Sequence, residues 1–235
     1  MGRSPRADAG AEPNYPSWNY TSAEVLADGV VHALGVSLGA LGATILVVWA
    51  ATSLSMVALT AVLVYAIALL AMLGLSAAYN MWPVSPAKWI LRRFDHSAIY
   101  LMIAGTYTPL VSQLKASYET IGLLMAVWTI AVVGAALKLL LPGRFDGLSI
   151  VLYLVLGWSV MAVYDSVVPA LPSSALVLLA IGGLLYSGGV AFHLWRSLRF
   201  HNAIWHVCVL AAAACHWTAV MQSQNHTFVY PNWRP

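Results

Sequence analysis

Charged residues are scarce in this chain: only 8% of its 235 residues are Asp, Glu, Lys or Arg, whereas 61% are hydrophobic. A soluble domain usually carries about a quarter charged residues, because its surface faces water. This shortage excludes a soluble protein and predicts an integral membrane protein. The formal net charge of +3 comes from basic residues in short loops and not from a patch, so no nucleic-acid partner is expected.

Cysteine and the common catalytic motifs are equally sparse. Cys208 and Cys215 stand seven residues apart, which on one helix is about 10 Å along the axis. That separation is too long for a disulfide, so two free thiols are predicted. The sequence contains no G-x-S-x-G, H-E-x-x-H or C-x-x-C motif and no phosphate-binding glycine loop. The hydrolase and metalloprotease sites that depend on these motifs are therefore excluded.

Seven apolar segments follow a polar start, each close to the roughly 20 residues that cross a bilayer. Short connections predict antiparallel neighbours, and the lack of strict alternation excludes a membrane β-barrel. The predicted fold is an all-α, seven-transmembrane helix bundle in residues 21–225, with tails at 1–20 and 226–235. The segments are predicted near residues 29–50, 56–79, 96–113, 121–141, 147–168, 174–195 and 203–222.

Basic residues alternate between successive loops and so predict the orientation. The intervening loops hold only Lys115, whereas the tail and the other loops hold Arg3, Arg6, Lys88, Arg92, Arg93, Lys138, Arg144, Arg196 and Arg199. Cytoplasmic loops of membrane proteins carry this excess of Lys and Arg. We therefore expect a multi-pass protein of the cell (inner) membrane, with a cytoplasmic N-terminus and an external C-terminus.

Polar residues of the predicted helices collect at one end, which is cytoplasmic in this topology. Several lie four residues apart and so share a helix face: Glu24, Asp28 and His32; Ser76 and Asn80; Asn202 and His206. Asp95 and His96 open the third segment at the same end. A mid-membrane Asp facing lipid costs roughly 2.5–3.5 kcal/mol. We therefore expect a shared pocket, the alternative being an interfacial ring that only caps helices and contacts headgroups.

One stretch also carries a family resemblance. The run FDHSAIYLMIAGTYTPL at 94–110 closely resembles the hemolysin III family, the bacterial branch of the progestin and adipoQ receptors. Further matches are EVLADGVVHALG at 24–35, SAAYN at 76–80, LYLVLGW at 152–158 and NAIWH at 202–206. The resemblance extends from residue 24 to about residue 220. It implies seven helices with the N-terminus inside, the topology already predicted from the loops.

The resemblance further implies a zinc site at the cytoplasmic face of a lipid amide hydrolase. The family's histidine positions correspond to Asn80, Asn202 and His206, and its aspartate corresponds to Asp95. In such a site His206 would bind metal, while Asp95 and Ser76 would be catalytic. Only one of the three histidines is therefore present, and an amide oxygen is a poor replacement for imidazole on zinc.

The two asparagines leave three alternatives for the pocket. Asn80, Asn202 and His206 can form a metal-free hydrogen-bonded network, because an amide both donates and accepts. Alternatively, metal can be held by an altered set, such as His206 and His32 with Asp28 or Asp95. A local rearrangement that brings in His201 or His96 is the third alternative.

Three functions remain open at this stage. The first is a metal-poor or metal-free variant that binds lipid or contributes to membrane homeostasis. The second is an active zinc-dependent hydrolase of a lipid amide or ester with an altered ligand set. The third is a pore-forming cytolysin, although the polar residues do not run the length of any predicted helix. Membrane lipids are the expected partners of the first two.

Overall fold

The computed structural model describes residues 20–229, and within that range the chain is helical and contains no strand. The predicted tail 1–20 lies outside this range except for Tyr20, and the predicted tail 226–235 lies outside it from residue 230 onward. The helices are α1 (Ser22–Ser53), α2 (Met56–Met81), α3 (Pro86–Val111), α4 (Tyr118–Leu140), α5 (Asp146–Trp158), α6 (Tyr164–Ala170), α7 (Ser173–Leu194) and α8 (His201–Val229). A 3₁₀ segment, Ser159–Val163, joins α5 to α6.

Six helical segments of the described chain are long and apolar enough to cross a membrane: α1, α2, α4, the α5–α6 unit, α7 and α8. The helix α3 is not among them, although it is as long as α2, with 26 residues in each. It packs against both α2 and α4 and also contacts α8. Its first half carries Lys88, Arg92, Arg93 and Asp95, which lower its hydropathy, and its buried positions include the polar side chains of Ser97 and Thr106.

The helices follow one another around a ring in chain order, because α1, α2, α3 and α4 pack in succession and α8 packs against both α7 and α1. Residues at the start of α1, the end of α2 and the start of α8 meet through side-chain hydrogen bonds. We call this the polar end of the bundle. The apolar core lies between α1, α2, α3 and α8 and includes Leu46, Tyr65, Leu69, Met102 and Val220.

Local contacts explain where α1 begins. Thr21 caps the helix and forms a capping box with Glu24, because each residue accepts a hydrogen bond from the other's backbone N–H. The helix therefore begins at Ser22, earlier than the apolar segment 29–50 indicates. At the other terminus α8 continues to Val229, beyond the predicted 203–222. Cys208 and Cys215 are both free on this helix.

The fifth predicted segment, 147–168, is not one continuous α-helix, because the 3₁₀ segment interrupts it. The Tyr107 hydroxyl, which reaches across from α3, lies at this break. It accepts from the backbone N–H of Val160 at 2.8 Å and donates to the carbonyl of Leu156 at 2.8 Å. A tyrosine on a neighbouring helix thus satisfies backbone groups that a break inside an apolar bundle would otherwise leave unpaired.

Gly105 allows α2 and α3 to approach closely. A Cβ at this position would lie 2.6 Å from Ala68 Cβ, whereas a Cβ at Gly74 on α2 would have no neighbour within 4 Å. Gly105→Ala is therefore expected to lower the free energy of unfolding by about 1–3 kcal/mol. Gly74→Ala should instead raise it by about 0.5–1 kcal/mol through helix propensity. Unfolding in mixed detergent micelles, followed by circular dichroism, measures both changes, and equal effects would contradict the close contact.

Candidate functional site

Asp28 is the centre of the polar end. It lies one helical turn after Glu24 on α1 and is only 5% exposed. Its Oδ1 lies 2.6 Å from Nδ1 of His206 on α8, and its Oδ2 accepts a hydrogen bond from the Asn202 side chain at 2.9 Å. Because Asn202 and His206 are four residues apart, both reach the same carboxylate from one face of α8. The sequence predicts the shared face but not the partner.

His32 lies on the same face of α1, one turn further along the helix. Its Nε2 is 3.6 Å from Asp28 Oδ2, and its ring centroid is 4.3 Å from that of His206 with the rings tilted by 56°. The atom Nε2 is buried and has no hydrogen-bond partner among the described residues. Three titratable side chains, Asp28, His32 and His206, therefore form one buried cluster.

The amides connect this cluster to α2. The Asn202 side-chain N–H also donates to Asn80 Oδ1 at 3.2 Å, and the Asn80 side-chain N–H donates to the Ser76 carbonyl at 2.9 Å. Asp95, on α3, interacts with the Ser76 side chain and lies within electrostatic range of His206 and His32. The two asparagines do hydrogen-bond to each other, as the metal-free network requires, but His206 bonds to Asp28 and not to an amide.

Glu24, His96 and His201 have other contacts. Glu24 accepts from the backbone N–H of Phe200 at 3.1 Å and so ties α1 to the turn before α8. His96 packs edge-on against Tyr79, with ring centroids 6.4 Å apart. The His201 ring lies 5.8 Å from that of Tyr20. Neither histidine belongs to the Asp28 cluster, so the described structure does not adopt the rearrangement that would bring one of them to the metal position.

The donor set of the cluster suits a zinc ion, whereas the positions at which the resemblance implies metal ligands do not. One oxygen of Asp28 and one nitrogen each of His32 and His206 lie within 4.8 Å of one another, and all three residues are buried. Zinc accepts carboxylate oxygen and imidazole nitrogen at about 2.0–2.2 Å. At Asn202, in contrast, the amide N–H points at Asp28 and Asn80, so its oxygen faces away from this carboxylate. Any zinc here would depend on Asp28, His32 and His206.

A cavity of about 1540 Å³ adjoins the cluster and extends far beyond it. It begins among Glu24, Asp28, Ser76, Asp95, His96 and His206 and continues to Leu114 and Leu171 at the opposite end of the bundle. Most small-molecule pockets measure about 300–1,000 Å³, so this one is larger than a small ligand needs. Its walls carry the charged side chains at one end and are mostly apolar along the remainder, which is the polarity of an amphiphile.

Residues that line the cavity are exposed on the bundle surface in two places. One is the polar end, at Val25, Trp82 and Val84. The other is a side opening, formed by Met161, Tyr164 and Val168 of the α5–α6 unit and Leu194 of α7. The indole N–H of Trp158 donates to the Ser187 hydroxyl at 3.1 Å and so joins α5 to α7 beside this opening. The opening therefore faces the surface that a surrounding bilayer would cover.

The polar end contains a second group of charged side chains, which was not predicted from the sequence. Arg92 of α3 donates to Asp146 Oδ2 at 2.8 Å, and Lys138 of α4 donates to Asp146 Oδ1. Lys138 is only 4% exposed. From the sequence, Arg92 and Lys138 were used only to predict the orientation of the chain in the membrane. The signal that could have identified the group is Asp146 itself, an acidic residue in an otherwise basic connection.

Comparison with known proteins identifies the same group of membrane proteins. The sequence model of the family described as "Haemolysin-III related" matches residues 21–217. The chain is 35% identical to the "Hemolysin-3 homolog" of Bacillus subtilis (strain 168) over 205 residues, which are 86% of this chain and 95% of that protein.

Two other relatives match about half of this chain. "Hemolysin-3" of Bacillus cereus is 39% identical over 127 residues, 54% of this chain and 58% of that protein. The human "Monocyte to macrophage differentiation factor" is 30% identical over 129 residues, 54% of this chain and 52% of that protein. No solved structure matches significantly.

Proposed function

The chain belongs to the hemolysin III family of multi-pass cell-membrane proteins, and from this premise we propose that it binds a membrane lipid between its helices. The proposed function is lipid binding or a contribution to membrane homeostasis. The resemblance of the motif at 94–110 is confirmed at the level of the family. The lipid proposal rests on the cavity and not on zinc. Of the three histidine positions that the resemblance implies for a zinc site, only His206 is a histidine here.

We propose seven membrane crossings with the N-terminus in the cytoplasm. The helix α3 lies between α2 and α4 in the bundle. Its 26 residues give a length of about 39 Å at 1.5 Å per residue, which is enough to cross the hydrocarbon core. Where α3 packs against its neighbours, it can bury polar side chains that a lipid-facing surface could not hold. The alternating basic loops support the orientation, and the polar end is then the cytoplasmic end.

The cavity is the observation that carries the lipid proposal. Its polar end can receive a headgroup, and its apolar walls, which reach Leu114 and Leu171, can cover hydrocarbon chains. An apolar cavity of 1540 Å³ that opens to the bilayer would fill with lipid, because burying apolar surface is favourable by roughly 25 cal/mol per Å². The side opening between the α5–α6 unit and α7 offers access from within the membrane.

Gly157→Phe is expected to lower the lipid that copurifies with the chain by about tenfold, equivalent to about 1.4 kcal/mol of binding free energy. Gly157 lines the cavity, and a Cβ there would have open space around it, so a phenyl ring can be added at the cavity wall without a clash at its base. The measurement is mass spectrometry of lipid retained after purification in detergent.

Gly122→Phe is the matched control. A Cβ at Gly122 also has open space, but this residue of α4 does not line the cavity. The control should retain lipid at the unsubstituted level. Equal lipid content in both variants, with both chains folded, would refute binding in this cavity, as would a purified unsubstituted chain without lipid.

A zinc-dependent lipid hydrolase is the second candidate, and one observation favours it. Ser76 and Asp95 interact with each other and lie at the cavity's polar end, beside the cluster of Asp28, His32 and His206. A bound zinc would supply an activated water. Asp95 could then orient that water or accept its proton, and Ser76 could hold Asp95. A pore receives no such support, because the far end of the cavity is lined by Leu114, Leu171 and Leu176.

A further inference from the structure

We propose that Asp28, His32 and His206 bind one zinc-type transition-metal ion through a ligand set centred on α1. The family pattern instead places the metal between the end of α2 and the start of α8, at positions that Asn80, Asn202 and His206 occupy here. The proposed site shares only His206 with that pattern. It stands on side-chain geometry alone and does not rest on lipid binding.

The chemistry of the donors selects the class of ion. Two imidazoles and one carboxylate are typical ligands of zinc and of other late transition metals. Calcium and magnesium prefer sites made almost wholly of oxygen, so two nitrogen donors disfavour them. Asp28, His32 and His206 are each less than 10% exposed, and the carboxylate would partly neutralise the ion's charge in this buried place.

The distances already approach those of a metal site. Ligand atoms around a tetrahedral zinc are about 3.3 Å apart when each bond is about 2.0 Å long. Here His206 Nδ1 lies 2.6 Å from Asp28 Oδ1, and His32 Nε2 lies 3.6 Å from Asp28 Oδ2. These separations lie on either side of the ideal value. One ligand atom from each residue already lies within 4.8 Å of the others, so changes of up to about 1.5 Å in their separations would place both histidines and the carboxylate around one ion.

His32 supplies an independent reason to expect a ligand. Its Nε2 is buried without a hydrogen-bond partner among the described residues, and Asp28 Oδ2, at 3.6 Å, is just beyond hydrogen-bond distance. An unsatisfied buried polar atom costs about 1–3 kcal/mol. A bond from this nitrogen to a metal ion would remove that cost, and it would explain why the nitrogen faces the carboxylate without bonding to it.

Asn202 acts as a positioning residue in this proposal. Its amide N–H donates to both Asp28 Oδ2 and Asn80 Oδ1. The bond to Asp28 sets the rotation of the carboxylate, while the bond to Asn80 anchors Asn202 to α2. Partners of this kind orient metal ligands, and their loss typically costs about 10–100-fold in affinity.

The test is metal binding by the full chain, purified in detergent, stripped with a chelator and titrated with Zn²⁺ or Co²⁺. We expect one ion per chain, with visible Co²⁺ absorption bands of a four-coordinate site and no competition from Ca²⁺ or Mg²⁺. His32→Gln, His206→Gln and Asp28→Asn should each weaken binding by more than about 100-fold, because they remove a ligand and not only its support. Asn202→Leu should weaken it by about 10–100-fold.

His201→Gln is the matched control, because His201 lies on the same helix as His206 but outside the cluster. It should bind metal like the unsubstituted chain. The proposal is overturned if no stoichiometric ion binds, if the ligand variants bind normally, or if His201→Gln loses the ion. If the Asp28 or His206 variants misfold, His32→Gln still tests the proposal. This substitution removes no hydrogen bond of His32 Nε2 and should therefore leave the fold intact. Lipid content of the same samples tests the lipid proposal separately.

Discussion

Replacing Asp28 by leucine is expected to lower the free energy of unfolding by about 3–5 kcal/mol, because it removes the shared acceptor from a buried hydrogen-bonded network. The carboxylate accepts from Asn202 and pairs with His206, and it is only 5% exposed. Without it, both partners would lose a hydrogen-bond acceptor while remaining largely buried. Unfolding in mixed detergent micelles, followed by circular dichroism, measures the change.

Two further variants distinguish the loss of the hydrogen bonds to Asp28 from the loss of one negative charge. Asp28→Asn retains one side-chain oxygen, so its cost should fall to about 1–3 kcal/mol. Asp165→Leu removes an exposed acid elsewhere in the chain and should stay within about 0.5 kcal/mol of the unsubstituted protein. If Asp28→Leu were as harmless as Asp165→Leu, Asp28 would not hold α1 and α8 together as the distances indicate.

The sequence predicts the neighbours of Asp28 only in part. Spacing of four residues puts Asp28 and His32 on one face of α1, and Asn202 and His206 on one face of α8, because the helical period requires it. The pairing between those faces depends on how each helix is rotated about its axis. Packing of the whole bundle sets that rotation, so the spacing alone could not choose Asp28 over Asp95 as the partner of His206.

Helix positions were predicted better than helix continuity. Apolar runs indicate α2, α4 and α7 closely, since length and hydropathy alone define such segments. The break at Ser159–Val163 has no such signal, because the side chain that satisfies it, Tyr107, comes from about fifty positions earlier in the chain. The resemblance of residues 94–110 could predict the family, but this long-range hydrogen bond could not be read from the motif.

The charged side chains around the α4–α5 connection likewise could not be paired from the sequence alone. Loop counting treats Arg92, Lys138 and Arg144 as equivalent positive charges. In the structure Arg144 is exposed, whereas Arg92 and Lys138 share the carboxylate of Asp146. The orientation rule counts the Lys and Arg residues in each loop. It contains no information on which of these side chains faces the protein interior. That distinction requires the geometry of the turn between α4 and α5.

Asp146→Ala is accordingly expected to lower the free energy of unfolding by about 2–4 kcal/mol, since removal of one partner leaves two inward-facing cations together. Lys138 is nearly fully buried, which raises the cost, but the Asp146 side chain is 41% exposed, and water screens part of the effect. Asp146 also lies in the first turn of α5, where a negative charge favours the helix N-terminus. The same micelle unfolding measurement applies.

A double variant shows whether the buried cation is the cause. If the cost of Asp146→Ala arises mainly from the orphaned Lys138, then Asp146→Ala combined with Lys138→Met should recover at least about 1 kcal/mol, a coupling that distant sites do not show. Methionine retains the length and apolar body of lysine and removes only the charge. The combination of Asp146→Ala with Arg144→Met is the control, because Arg144 is exposed and the cations that pair with Asp146 in the described structure are Arg92 and Lys138. Equal recovery by both combinations would mean that net charge, and not the Arg92–Asp146–Lys138 group, governs the stability of this end of the bundle.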